Sequence, residues 1–218
     1  PGYTAEMEAV AGPVIDGLLR RGIPIATVAT RPTGMFLAER VLARYAAFNG
    51  LAAGEGYLHL GFLPGGPTAA QAFLAAPRQV WTQAMAGDAE LWSSPSMTAI
   101  QTGADFGAVF LLSSGADSAR MWVEQSAPLL DSTPLVAVVS AGVEPLLRPY
   151  YDAADPALAA VASGLPLAMA HEQANNREAD AAARWNPYGA GMLVAQIFLA
   201  GGAAYGLLGW LARRRLLP

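Results

Sequence analysis

The side chains best suited to chemistry stand where short apolar runs of the chain give way to Ser and Gly. Such breaks fall at residues 30–34, 64–66, 113–117 and 140–144. Glycine lets a ligand approach the backbone closely, serine supplies a hydroxyl group, and the start of a following helix offers free N–H groups to an anion. The candidate ligand-binding residues are Arg31, Gly65, Gly66, Ser113, Ser114, Gly115, Ser140 and Gly142.

Two interpretations of these breaks stay open. In an open parallel sheet, ligands bind beyond the carboxyl ends of the strands, and Arg31 would add a bidentate contact to a carboxylate or a phosphate. The alternative is that the strands end in Gly and Ser because loops require those residues. The chain has no glycine-rich phosphate fingerprint and no acidic partner at the spacing of a dinucleotide site, which favours the alternative.

Catalytic and metal-binding motifs are missing from the sequence. The string HEQAN at His171 is not the HExxH zinc motif, and His59 stands far from it along the chain. Ser113 and Ser114 lie in LLSSGAD, which lacks the GxSxG elbow of serine hydrolases. The absence of Cys excludes thiolate nucleophiles, and the absence of Lys excludes Schiff-base chemistry. We therefore predict no catalytic residue, no metal site and no cofactor.

Pairs of acidic residues are poorly spaced for joint acid–base chemistry. Glu6 and Glu8 are two residues apart, so they point to different faces of a helix. We expect both carboxylates to favour the start of the first helix and to stay in solvent.

The elements that would position the candidate residues follow a βα pattern. Helical periodicity or helix-start signals mark residues 4–22, 35–48, 68–75, 117–125, 143–151 and a stretch from 165 onward. Apolar or β-rich runs mark residues 23–29, 57–63, 108–112 and 135–139. Strands that are apolar without alternation indicate a parallel sheet buried on both faces. The sequence predicts an α/β fold, a three-layer doubly wound sandwich with a mostly parallel sheet, plus one C-terminal transmembrane helix.

The C-terminal run at residues 189–211 carries no charged side chain. As a helix it would extend roughly 34 Å, enough for a hydrocarbon core of about 30 Å. Trp185 and Tyr188 at one end and Trp210 at the other suit the headgroup regions. The basic residues 213–215 follow at once, so the positive-inside rule predicts a cytoplasmic tail and an extracytoplasmic N-terminal part. The alternative is a buried core helix, although core helices are seldom apolar all round over this length.

Small residues recur along one side of this helix. With Phe198 as the only interruption, they follow each other at about 3.6-residue spacing and include a GxxxG motif. Small side chains let a second helix approach closely, although Gly is also frequent in membrane helices generally. The predicted helix-packing residues are Gly191, Ala195, Gly202, Gly206 and Gly209.

These features predict four parts: an extracytoplasmic α/β domain at 1–184, an interfacial hinge at 185–188, the transmembrane helix at 189–211 and a basic cytoplasmic tail at 212–218. All 17 acidic residues and 10 of the 13 arginines precede Tyr188, which leaves the domain with seven excess negative charges. An acidic domain argues against nucleic acid as a partner. Because a helix-start signal already appears at Thr4, we also expect a strand, and a signal peptide or first membrane helix, upstream of Pro1.

Several segments resemble an uncharacterised family of bacterial membrane-anchored proteins with an extracytoplasmic α/β domain and a C-terminal transmembrane helix. The matching pieces are TAEME at 4–8, LGFLPGG at 60–66 and a pattern across 164–172 that includes Gly164, Leu165, Ala168, Met169, Ala170 and Glu172. The resemblance implies an acidic, aromatic strand before the first helix, and it implies no catalytic role.

Taken together, the patterns favour a non-catalytic accessory or scaffold subunit of a membrane protein complex. Its expected location is the bacterial cytoplasmic membrane, and its expected partners are lipid and other membrane-protein subunits or a second copy of itself. The alternative is a membrane-tethered ligand-binding or sensory domain that uses the strand-end crevice, and a hydrolytic enzyme is a third hypothesis.

Overall fold

The computed structural model describes residues 5–52, 56–80, 95–176 and 180–215. Within these residues parallel strands alternate with helices, so the predicted α/β class is confirmed. The strands are β1 Ile25–Ala29, β2 Tyr57–Phe62, β3 Val109–Ser113, β4 Leu135–Val139 and β5 Ala160–Ser163. The helices are α1 Ala5–Arg20, α2 Pro32–Phe48, α3 Gly66–Ala75, α4 Pro77–Val80, α5 Pro95–Thr98, α6 Ala116–Ser126, α7 Glu144–Tyr151, α8 Gly164–Ala174 and α9 Asp180–Arg215.

The described strands form two sheets, and every pairing in them is parallel. β1 pairs with β2, and the second sheet has the order β3-β4-β5. The β1–β2 register slips by one residue between Thr27 and Val28, because Thr27 lies opposite His59 and Val28 lies opposite Gly61. The predicted parallel pairing is thus confirmed, whereas the described residues show no ladder that joins the two sheets into one.

β4 is a buried strand, whereas β1 is half-buried throughout and β3 buries one residue. The β4 sequence LVAVV is rich in β-branched residues, and four of its five side chains are buried. β5 is different, because AVAS is short, contains two alanines and is only partly buried. The sequence patterns did not predict β5.

The helices pack in two groups. α1 contacts α2 and α8, and its buried side chains also meet β4; α3 contacts α6, which in turn contacts α7. α1 and α2 come close at Gly12, where the Tyr45 ring occupies the space that a Cβ atom would need. α1 continues through Pro13 without a break in its helical assignment.

The C-terminal helix α9 stands out from the domain. The segment Ala183–Leu211 is long and apolar enough to cross a membrane, with a mean hydropathy of 1.6 in its best window, and that window is 0% buried. The structure therefore does not place this helix in a core. Residues 185–188, the predicted hinge, are helical, and Pro187 lies inside the helix.

Two predicted features lie outside the described residues: the strand upstream of Pro1, and the side chains of the basic tail at 212–218.

Candidate functional site

The predicted ligand residues all lie just past the carboxyl end of a strand. Because strands within a sheet pair in parallel, the structure gathers these residues into two groups, one at the edge of each sheet. In chain order they are Arg31 after β1, Gly65 and Gly66 after β2, Ser113, Ser114 and Gly115 at the end of β3, and Ser140 and Gly142 after β4.

The hydroxyl group of Ser113 belongs to a local turn. It accepts a hydrogen bond from the backbone N–H of Gly115 at 3.2 Å and lies 3.1 Å from the carbonyl oxygen of the same residue, to which it donates. Serine makes such turns wherever a chain leaves a strand. This turn accounts for the presence of a serine at residue 113 without any role in ligand binding.

Gly65 and Gly66 are likewise explained by backbone geometry. Their φ angles are +112° and +58°, a region that side-chain-bearing residues rarely adopt. A Cβ atom on Gly65 would also lie 3.1 Å from the Cβ atom of Ala69. The two glycines make the tight turn from β2 into α3.

Two carboxylates that are not among the candidate ligand residues accept hydrogen bonds at this edge. The Glu6 Oε1 atom accepts from the backbone N–H of Ala141 at 2.9 Å, in the turn after β4. The Ser163 hydroxyl group donates to the carboxylate of Glu144. That hydrogen bond, helped by the nearby Arg148 guanidinium, holds the pKa of Glu144 below its ordinary value. Many of the polar groups at this edge of the three-stranded sheet are therefore already hydrogen-bonded within the chain.

A signal for this arrangement was present in the sequence. β3 ends in Ser113 and β4 is followed by Ser140, each with Gly two residues later, and Ser163 with Gly164 repeats the chemistry after the apolar run at 157–162. Gly164 has φ +68°, which marks the turn into α8. Searching for a third Ser and Gly break would have located β5 and the partner of Glu144.

Two open pockets lie elsewhere, and neither is lined by a predicted ligand residue. One, of about 320 Å³, is apolar and lies between α1, β5 and α8, with Val10, Val14 and Leu167 in its wall. The other, of about 480 Å³, lies at the opposite edge, where β4 begins, and includes Asp131 and Asp155.

The two histidines lie in different elements, His59 in β2 and His171 in α8. In β2, His59 is 7% exposed; its Nδ1 atom lies 2.9 Å from the Thr27 hydroxyl group, and its Nε2 atom is buried without a hydrogen-bond partner. Burial lowers the pKa of His59 below its ordinary value, and the charge of Glu39 opposes part of that shift. His171 lies in α8, with Asn175 as a neighbour. Among the described residues no group of three potential ligands could hold a metal ion.

A buried acidic residue lies where α9 joins the domain, and the expectation that it would be solvated is wrong. Glu8 in α1 is 7% exposed. Its carboxylate lies 3.3 Å from Arg40 and 3.4 Å from Arg44 of α2, and 3.9 Å from Arg184 of α9. One carboxylate thus links three helices, because α2 and α9 supply cations to a single buried anion.

Glu172 fixes the start of α9. It is 3% exposed, and its Oε1 atom accepts a hydrogen bond from the backbone N–H of Ala181 at 3.0 Å. An acidic side chain at this place satisfies one of the free N–H groups at a helix start and favours the helix dipole. Ala181 itself is buried against α1 and α8.

The small-residue stripe on α9 faces away from the rest of the chain. A Cβ atom added at Gly191, Gly202 or Gly206 would meet no other atom within 4 Å, and the same holds for Gly209. The large side chains around the stripe, such as Phe198 at 76% exposed, also point outward. The surface that could admit a second helix is thus open along the apolar length of α9.

Comparison with the models of known families, with curated proteins and with solved structures finds no match for this chain.

Proposed function

We propose that this protein is a non-catalytic accessory or scaffold subunit of a membrane protein complex. The observation that carries the proposal is the open stripe of small residues on α9, a helix long and apolar enough to cross a membrane. The partner is a transmembrane helix, supplied by another subunit or by a second copy of the chain.

The physical argument concerns what holds helices together in lipid. Acyl chains are as apolar as leucine, so helix association depends on close van der Waals packing rather than on the hydrophobic effect. Gly202 and Gly206 form a GxxxG motif, which lets two helix backbones approach closely. A span without a partner would gain nothing from this arrangement.

The hydrogen bonds at the strand ends favour a scaffold role for the domain rather than a ligand-binding role. Ser113, Glu6 and Glu144 hydrogen-bond to neighbouring parts of the same chain. Groups engaged in this way would have to break those bonds before they could contact a ligand.

The location that we propose is the bacterial cytoplasmic membrane, with residues 1–184 on the extracytoplasmic side. The support is the charge pattern, because residues 213–215 are all Arg and follow the apolar run directly.

We also propose that the two described sheets are halves of one doubly wound sheet. The support is the helix packing, with α1, α2 and α8 in one group and α3, α6 and α7 in another.

The test is a substitution on the stripe with a control on another side of the helix. Gly206→Ile adds bulk where the chain itself leaves open space, so the domain and the helix should form normally. The control is Leu207→Ile, at a residue that is 57% exposed. We expect Gly206→Ile to reduce the amount of partner co-purified in mild detergent by about tenfold, equivalent to roughly 1.4 kcal/mol. Equal recovery of the same partners with both variants would remove the support for a scaffold role.

A further inference from the structure

The directions of α1 and α8 locate two edges of the domain. The carboxyl edge is where the strands end, and the amino edge is where they begin. Glu6, in the first turn of α1, contacts Ala141 just past the carboxyl end of β4. α8 begins immediately after β5, also at a carboxyl end. At the far ends of the two helices, the Arg20 Nη2 atom donates to the Asn175 Oδ1 atom at 2.7 Å. Both helices therefore run side by side from the carboxyl edge of the sheet towards its amino edge.

α9 runs in the opposite direction. Its first residues lie far from the carboxyl edge, because Ala181 bonds to Glu172 near the end of α8. One turn later Arg184 lies beside Glu8, near the start of α1. α9 therefore runs from the amino side of the domain towards the carboxyl edge, and its apolar part extends beyond that edge.

The remaining distance to the apolar run is short. Five residues separate Arg184 from Gly189, a rise of about 7.5 Å, and the start of α1 lies about 4.5 Å beyond Glu8 in the same direction. The turns at the carboxyl edge are therefore roughly level with the beginning of the apolar run. The headgroup region on one side of a bilayer is about 5–7 Å thick, so these turns fall within it or against it.

α2 extends further than α1 in this direction. Arg40 and Arg44 of α2 contact Glu8, and Asn49 donates to Asp16 of α1 at 2.8 Å. This register places the start of α2 about six residues, or roughly 9 Å, beyond the start of α1. Of the starts of these two helices, that of α2 is therefore the closer to the bilayer.

Both edges carry exposed apolar and charged side chains. Near the carboxyl ends, Phe36 is 63% exposed and Leu146 is 55% exposed, and Arg31 is an exposed cation, although Asp117 is exposed there too. The amino edge exposes the acidic residues Asp131, Asp152 and Asp155 together with the apolar side chains of Ile23 and Phe48. Phe36, Leu146 and Arg31 suit an anionic headgroup layer, and the direction of α9 decides which edge meets it.

We propose that the carboxyl edge of the domain rests on the headgroup layer of the bilayer that α9 crosses. This proposal rests on the proposed membrane anchorage and adds a defined orientation to it. The candidate ligand residues then face lipid headgroups instead of open solvent. The amino edge, with its acidic residues and its larger pocket, faces away from the membrane.

The absence of cysteine makes this orientation measurable with a single label. Gly142→Cys and Gly107→Cys are matched variants, because both glycines are exposed and an added Cβ atom meets nothing within 4 Å at either. Gly142 lies at the carboxyl edge, and Gly107 lies at the amino edge before β3. The full-length chain, labelled with a nitrobenzoxadiazole fluorophore, is reconstituted in vesicles of phosphatidylcholine and phosphatidylglycerol. A fraction of the lipid carries a nitroxide on its headgroup.

We expect headgroup nitroxide to quench the label on Gly142→Cys at least about threefold more than the label on Gly107→Cys, because collisional quenching needs near contact with that layer. Equal, weak quenching of the labels on both variants would overturn the proposal that the carboxyl edge rests on the headgroup layer. A label on Tyr205→Cys, in the span and 81% exposed, reports on anchorage through nitroxide placed in the acyl chains. If that label is not quenched, α9 does not cross the bilayer, and both the proposed anchorage and the proposed contact of the carboxyl edge with the headgroups are wrong.

A second pair guards against misfolding of the Gly142 variant. Leu146→Cys and Tyr151→Cys lie at opposite ends of α7 and are 55% and 47% exposed. The same ordering is expected, with stronger quenching at Leu146→Cys. The reverse ordering would show that the amino edge faces the bilayer and would overturn the proposal.

Discussion

Glu8 shows how one buried carboxylate can join three helices without burying their cations. The side chains of Arg40 and Arg44 are 56% and 50% exposed, and that of Arg184 is 35% exposed, so water still solvates the guanidinium groups. The desolvation cost falls mainly on Glu8, and three nearby positive charges offset it. The residue types can be read from the sequence but their pairing cannot, because the partners in α2 are more than thirty residues away along the chain and Arg184 is much further.

His59 makes the stability of the domain depend on pH. Burial lowers its pKa in the folded state below the ordinary value of about 6.5, so the unfolded chain binds more protons below that pH. The stability contributed by neutral His59 is therefore fully present above about pH 6.5 and is lost as the pH falls towards the folded-state pKa.

We expect the melting temperature of the full-length chain in detergent to fall between about pH 7 and 5, by roughly 2–4 °C for each kcal/mol lost. His59→Gln keeps a polar partner for Thr27 but does not titrate, so it should flatten this part of the profile. His171→Gln is the control and should retain the His59 contribution. An unchanged slope in His59→Gln, measured by circular dichroism, would assign the pH dependence to other groups.

At the scale of elements, predictability followed the strength of the local pattern. β3 and β4 were predicted because continuous apolar runs such as LVAVV are typical of parallel strands, although the structure buries four residues of β4 and only Leu111 of β3. β5 was missed because four small residues give no clear period, and its place is set by pairing with β4. The continuation of α9 through residues 185–188 was missed because Pro187 indicated a break, whereas Arg184 and Trp185 pack against the domain and hold the preceding turn.

The start of α9 depends on Glu172. Glu172→Gln keeps an oxygen that can accept from the N–H group of Ala181 but removes the negative charge beside the helix start, a loss of about 0.3–1 kcal/mol. We expect faster amide exchange at Ala181 and its neighbours, measured by mass spectrometry on the full-length chain in detergent. Glu124→Gln, at an exposed residue of α6, is the control and should leave exchange in α9 unchanged. Unchanged exchange in Glu172→Gln would mean that packing alone holds this turn.

At the scale of the whole molecule, the proposed orientation predicts which part a protease can reach. With residues 1–184 outside, protease added to intact spheroplasts should degrade the domain, while an epitope placed after Pro218 stays protected until the membrane is lysed. The reporter is immunoblotting of both ends. Protection of the domain in intact spheroplasts, with loss of the C-terminal epitope, would reverse the orientation.

The link between Glu8 and Arg184 couples the tilt of α9 to the position of the domain. The centre of the apolar run lies about 24 Å from Arg184, so a tilt of about 10° around that centre swings the root of the helix sideways by roughly 4 Å. Because α9 is already helical where it meets Glu8 and Glu172, that swing acts on α1 and α8 directly. A neighbouring helix that changes the tilt of the span would thereby move the domain against the membrane as one body.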